Sequence, residues 1–184
     1  LGPVWKGKGF FARAMGLDEK KESGAAEIEL IAKRIGVLES VRASVWREGE
    51  KVTVSSLTGE WHNGKLKGTG TIRLGGDVDL AGAITALPWE GGTVESDWKL
   101  TGKVPLTIRG AAKLTGGLAD LITGAYRWDS NGKIAITAPE ALIDGRKVPG
   151  KVTGPAGGPL IIEFADAPKL RITGKPFAVT VEGR

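Results

Sequence analysis

The sequence has no cysteine and a single histidine, His62. Without cysteine there is no disulfide framework and no thiolate metal site. No apolar run approaches the roughly 20 residues that a membrane-spanning helix needs, and no signal peptide is recognisable. Since the chain begins at Leu1 rather than Met, we expect a preceding segment that lies outside this sequence, with a membrane anchor as one possibility.

The charge is weakly basic and evenly mixed. The chain has 26 Lys and Arg against 21 Asp and Glu, a formal net charge of +5. Basic and acidic residues are interspersed along the chain, and the densest cluster, Lys20 and Lys21, is flanked by Asp18, Glu19 and Glu22. A nucleic-acid surface concentrates one sign of charge. We therefore expect a solvated surface and no nucleic-acid partner.

Glycine is abundant, with 29 residues scattered without a three-residue period. Apolar and polar residues alternate from residue 41 to residue 108, which is the period of β-strands. Turn signals interrupt this alternation, including Asn63-Gly64 and the run 75–77. The sequence therefore predicts an all-β fold over residues 25–184, preceded by an irregular or short helical lead-in over residues 1–24.

Residues 25–35 fit two interpretations from the residues alone. Ile28, Ile31 and Ile35 suit one face of a helix that stops at Gly36, whereas Ile28, Leu30 and Ala32 suit one face of a strand. Periodicity does not decide between them.

A short motif recurs in which an apolar residue, a spacer and a glycine follow one another. Within a strand the apolar residue and the glycine lie on one face, and glycine there permits the bend that curls a sheet. The pattern favours a curled antiparallel sheet, a half-barrel or trough, although ordinary alternation of strands and turns explains it equally well. The nine copies end at Gly59, Gly68, Gly82, Gly102, Gly110, Gly116, Gly124, Gly154 and Gly174.

The alternation also predicts one continuous apolar face, which we interpret as a candidate surface for lipid or for a protein partner. A simple core is the commoner role of such a face. Its predicted members are Leu66, Ile72, Leu74, Val78, Leu80, Ile84, Val94, Trp98, Leu100, Val104, Leu106 and Ile108.

Catalytic candidates are few. His62 stands beside a predicted turn, and no Gly-x-Ser-x-Gly nucleophile motif is present. Asp77 with Asp79, and Glu95 with Asp97, form pairs that suit a hard cation or a glycosidase, but each pair falls on the polar side of its strand, where solvated charges belong. We expect no enzyme activity, no metal and no cofactor.

Six tryptophans are many for 184 residues. Such rings stack on sugars, lie at membrane interfaces or fill cores. Core and sheet-edge packing is the interpretation we favour, and glycan binding stays open. The six are Trp5, Trp46, Trp61, Trp89, Trp98 and Trp128.

Residues 27–84 resemble the AsmA-like superfamily of bacterial envelope proteins. The segments that carry the resemblance are EIELIAKRIGVL at 27–38, VRASV at 41–45, EKVTV at 50–54 and LTGEWHNGKLKGTGTI at 57–72. The resemblance implies a strand rather than a helix over residues 27–35. A weaker resemblance, to the N component of type II secretion, covers residues 104–174 through GAYRW at 124–128 and the strand pattern of 154–164.

The AsmA-like resemblance implies a periplasmic or envelope location in a Gram-negative bacterium, an amino-terminal membrane helix, a long curled sheet, and a role in lipid movement or outer-membrane assembly. The expected partners are lipid or another envelope protein. Two alternatives of other classes are a structural subunit of a secretion or phage-tail assembly and a glycan-binding β domain.

Overall fold

The computed structural model describes residues 26–35, 38–103, 105–156, 158–165, 167, 169–173 and 178–182. The lead-in predicted for residues 1–24 lies outside these residues, as does Val104. The described chain is all β, which confirms the predicted fold class. Its strands are β1 (Ala26–Ile35), β2 (Leu38–Glu48), β3 (Lys51–Trp61), β4 (Gly64–Arg73), β5 (Val78–Trp89), β6 (Gly92–Gly102), β7 (Thr107–Gly116), β8 (Ala119–Asp129), β9 (Ile134–Ile143), β10 (Arg146–Pro149), β11 (Lys151–Thr153), β12 (Leu160–Glu163), β13 (Lys169–Thr173) and β14 (Ala178–Glu182).

Strands β1 to β10 form one antiparallel sheet in which each strand pairs with its neighbours in sequence. In the described residues β1 and β10 do not pair, so this sheet is open rather than closed into a barrel. Register shifts interrupt five of its strand pairs: β2–β3, β3–β4, β5–β6, β7–β8 and β8–β9. Bulges of this kind bend and twist a strand, which curls the sheet.

The first strand resolves the ambiguity of residues 25–35. Ala26–Ile35 pairs in antiparallel register with β2, Leu30 opposite Ala43 and Ala32 opposite Val41. The strand that the family resemblance implied is therefore confirmed. These residues form a strand rather than a helix because one side of β1 is buried: Ala32 and its partner Val41 are both buried, while Ile31 on the other side is 66% exposed.

The hairpin between β3 and β4 turns one residue earlier than Asn63-Gly64 predicts. Trp61 pairs with Gly64, and the two turn residues are His62 and Asn63, with φ of 48° and 67°. Positive φ at both central residues is what a type I′ turn requires. Gly64 is instead the first residue of β4, where a Cβ would lie 2.8 Å from the Cβ of Leu87.

Strands β11 to β14 form a second antiparallel sheet that the sequence did not predict as a separate layer. Strands β11 and β12 contact β9. The largest core cluster lies at this junction and combines Ile134 and Ala141 of β9 with Leu160, Ile162, Phe164, Leu170 and Ile172. The small sheet therefore covers one end of the large sheet.

Candidate binding face on the ten-stranded sheet

The pairing register brings most of the predicted apolar face together. Leu66 lies opposite Ile84 in the β4–β5 pair, and Leu100 lies opposite both Leu80 of β5 and Ile108 of β7. Directly opposed residues in an antiparallel pair point to the same side of the sheet. The same rule places the other paired members on this side: Ile72 opposite Val78, Val94 opposite Leu87 and Leu114, and Trp98 opposite Gly82.

Of the predicted set, one member does not fit, one lies outside the strands and one lies outside the described residues. Leu74 is 46% exposed because β4 ends at Arg73, and the Leu74 N–H donates to Glu50 O, 2.9 Å away, in the turn. Its assignment to the apolar face was wrong, since alternation carries no information about where a strand ends. Leu106 is half-buried but precedes β7, and Val104 lies outside the described residues.

Two buried clusters border this face. One is the junction with the small sheet described above, onto which Trp89, Ile122 and Trp128 also pack. The other lies in β2 and β3 and consists of Ala43, Val45, Val52 and Val54, with Leu30, Leu57, Ile72 and Leu80 packed against it.

Between the two clusters lies a strip of apolar side chains that belongs to neither cluster. We call this strip the central band; its members are Leu66, Ile84, Val94, Trp98, Leu100 and Ile108. All six are half-buried, in contrast to cluster residues such as Val52 and Ile162, which are 3% and 4% exposed. The central band is thus apolar surface that the described chain leaves partly open to solvent.

The indole of Trp98 reaches from β6 across two neighbouring strands of this face. A Cβ at Gly68 of β4 would lie 2.7 Å from Trp98 Cζ2, and so would a Cβ at Gly82 of β5. Glycine at both positions leaves the space that the flat ring occupies. The Nε1 atom of Trp98 is buried and has no hydrogen-bond acceptor among the described residues, an arrangement that costs free energy.

Tyr126 makes a similar crossing from β8 over Gly110 of β7 to β6. Its hydroxyl lies 2.9 Å from Ser96 Oγ and donates to the carbonyl oxygen of Asp97, 3.1 Å away. A Cβ at Gly110 would lie 2.9 Å from the same hydroxyl. Burial raises the pKa of Tyr126, the hydrogen bond with Ser96 lowers it, and the Asp97 charge raises it, so the pKa lies above its ordinary value. The phenol therefore stays neutral.

The opposite face of these strands carries the predicted carboxylate pairs. Asp79 lies 3.1 Å from Lys99 and Asp77 lies 3.7 Å from Lys103, both as exposed ion pairs. Glu95 and Asp97 are exposed, and Asp97 accepts a hydrogen bond of 2.5 Å from the Ala111 N–H.

A shallow depression of about 280 Å³ lies between β5, β6 and β7. Its lining residues are Ala83, Ile84, Thr85, Glu95, Ser96, Asp97, Ala111 and Lys113. In the part of the chain that the structure describes, no group of three metal-ligating side chains occurs. These carboxylates have the environment of solvated strand charges.

His62 is exposed in its turn, and its ring lies beside Trp61 with ring centroids 5.5 Å apart. Of the tryptophans, Trp89 and Trp128 pack on the main core, whereas Trp46 is 42% exposed and Trp5 lies outside the described residues. The apolar-x-glycine motif pointed to Gly68, Gly82 and Gly110 from the sequence. Only the cross-strand register identifies Trp98 and Tyr126 as the rings above them, and Tyr126 was missed as a candidate.

No protein-family model, curated protein or solved structure matches this chain. Within the described residues there is no helix with the length and apolar character needed to cross a membrane.

Proposed function

We propose that this chain is a non-enzymatic protein of the Gram-negative cell envelope, periplasmic or membrane-associated, that offers its apolar sheet face to lipid acyl chains for lipid movement or for assembly of the outer membrane or a secretion apparatus. The observation that carries the proposal is the central band. Its support is that these six side chains join neither buried cluster and stay partly open to solvent in the described chain, which makes them available for contact with an apolar ligand.

The chemistry of the central band suits an acyl chain rather than a polar ligand. Five of its six members are aliphatic and the sixth is Trp98. The neighbouring polar side chain on this face, Ser96, is already hydrogen-bonded to Tyr126.

The experiment that tests the proposal is Ile84→Glu, expressed with export to a bacterial periplasm. Ile84 lies in the central band opposite Leu66. A carboxylate there would lose its hydration against an acyl chain, which disfavours lipid binding. We therefore expect a variant that is folded by circular dichroism. Its co-purifying lipid, measured by mass spectrometry of organic extracts, should fall at least several-fold.

The matched control is Thr85→Glu, one residue along the same strand and therefore on the other face. Its new carboxylate faces Lys65 directly across the β4–β5 pair, and its lipid load is expected to equal that of the parent. Unfolding of Ile84→Glu indicates a closed core in place of a binding face. An unchanged lipid load, or no lipid on the parent protein, also overturns the proposal.

A further inference from the structure

The two outer edges of the ten-stranded sheet are built differently. The β10 edge has only four residues and ends at Pro149, which has no N–H to offer. The chain then passes into the small sheet through Gly150, whose N–H donates to Pro139 O, 2.7 Å away. Strand β1 is ten residues long, and among the described residues no strand pairs with its outer side. Long edge strands are templates for pairing with another chain.

Exposed apolar side chains concentrate at the β1 edge. Of the four large apolar side chains that are exposed in the described residues, Ile31 and Ile35 lie on β1 and Trp46 lies on β2. Ile31 is the most exposed of the four, at 66%. Covering an edge of this kind with a partner is favourable, because exposed apolar surface is removed from water.

The charges on β1 specify which partner fits. On the face opposite the core, exposed Glu29, Ile31 and Lys33 follow one another at alternate positions. Read in the opposite direction this order is base, apolar, acid, so the pattern is complementary to an antiparallel copy of itself. An antiparallel copy of the same strand centred on Ile31 therefore places Glu29 opposite Lys33 of the copy, Lys33 opposite its Glu29, and the two Ile31 side chains opposite each other.

We propose that two copies of this chain pair through their β1 strands across a two-fold axis perpendicular to the sheet, forming one continuous twenty-stranded sheet. Such an axis keeps each face of the sheet on its own side, so Leu30 lies opposite Ala32 of the second copy and the apolar face continues across the dimer. A register centred on Leu30 instead places Glu29 opposite Ile31 and Glu27 opposite Lys33, which loses the Glu29–Lys33 pairs and the isoleucine contact.

Cross-linking tests the register directly because the chain contains no cysteine. Directly opposed residues in an antiparallel pair have Cα atoms about 4.5–5.5 Å apart, within the range that a disulfide spans. Ile31→Cys is therefore expected to oxidise to a covalent dimer on non-reducing gels. Leu74→Cys, equally a single exposed site but in a turn, is the control and is expected to remain largely monomeric. Equal cross-linking of both variants, or none at Ile31→Cys, overturns the proposal.

Charge reversal provides an independent test by sedimentation equilibrium. Glu29→Lys alone, or Lys33→Glu alone, creates like-charge contacts across the axis at two symmetric positions and is expected to raise the dimer dissociation constant about tenfold. The double variant Glu29→Lys/Lys33→Glu restores opposite charges and is expected to return to the parent value. A monomeric parent at high micromolar concentration, or a double variant no tighter than the singles, contradicts the proposal.

Discussion

Glycines at three positions on the apolar face act as contact sites for rings from neighbouring strands. Gly68 and Gly82 lie beneath Trp98, and Gly110 lies beneath Tyr126. Glycine is unfavourable in a strand by propensity alone, because fixing its flexible backbone costs conformational entropy and it contributes no side chain. Here the ring replaces the missing side-chain contacts, and the pair works as a cross-strand unit.

The close approach of β4 and of the Trp98 ring makes Gly82 intolerant of the smallest side chain. In Gly82→Ala the methyl group would collide with the carbonyl oxygen of Lys67 and would lie 2.7 Å from both Trp98 Cζ2 and the Cα of Gly68. Two of these neighbours are backbone, so relief requires the strands to move apart. We expect a loss of about 1–3 kcal/mol in the free energy of unfolding, measured with urea.

Gly75→Ala is the matched control, because a Cβ there meets nothing within 4 Å. It is expected to change stability by less than about 0.5 kcal/mol, as for other exposed surface substitutions. Equal effects of the two variants would show that β4 and Trp98 do not crowd Gly82 as the structure indicates.

Among the structural elements, the β3–β4 hairpin shows how a turn is positioned by packing as well as by turn propensity. Asn-Gly is a strong hairpin signal, yet Gly64 belongs to β4 because its bare face admits Leu87. The turn then falls on His62 and Asn63, which both take positive φ. Asn adopts positive φ more readily than most residues do, and His adopts it less readily than Asn.

This turn placement predicts the effect of a β-branched residue at position 62. His62→Val is expected to cost about 1–2 kcal/mol, because valine is poorly suited to positive φ. If Asn63 and Gly64 formed the turn, His62 would end a strand and valine would be neutral or stabilising. Thermal unfolding separates the two cases. Lys65→Val, on an exposed strand position in β4, is the control and is expected to stay within about 0.5 kcal/mol of the parent.

Strands were more predictable than their ends or their partners. The alternation of β2 to β7 is a local property, so it could be read from residues such as Val41, Ala43 and Val45. Strands near residues 160–164 and 170–172 could be read from the sequence, but their separation into a second sheet could not, because Ile162 meets Ile134 only through the fold. For the same reason the sequence could not show which part of the apolar face is covered. The central band is a result of the pairing register.

At the scale of the whole molecule, the large sheet is nearly one-dimensional, since each strand pairs with its neighbours in sequence. The two buried clusters lie at different places along it, one in β2 and β3 and the other at β9 with the small sheet. The central band between them lacks a buried cluster of its own. In arrays of this kind stability is a sum of local terms and nearest-neighbour contacts, so distant regions open separately.

Native-state hydrogen exchange should therefore resolve two regions of protection. Ile162→Ala removes a buried side chain of the junction cluster and Val54→Ala removes one of the β2–β3 cluster, at costs of about 2–5 and about 1–3 kcal/mol. We expect Ile162→Ala to speed exchange in β9, β12 and β13 while β2 and β3 keep their parent rates, and Val54→Ala to do the reverse. The physical reason is that the central band at β4 to β7 is only half-buried, so it couples the stability of one cluster only weakly to that of the other. If each variant accelerates exchange equally at both ends, the ten strands and the small sheet unfold as one cooperative unit, and the central band is a coupled part of the core.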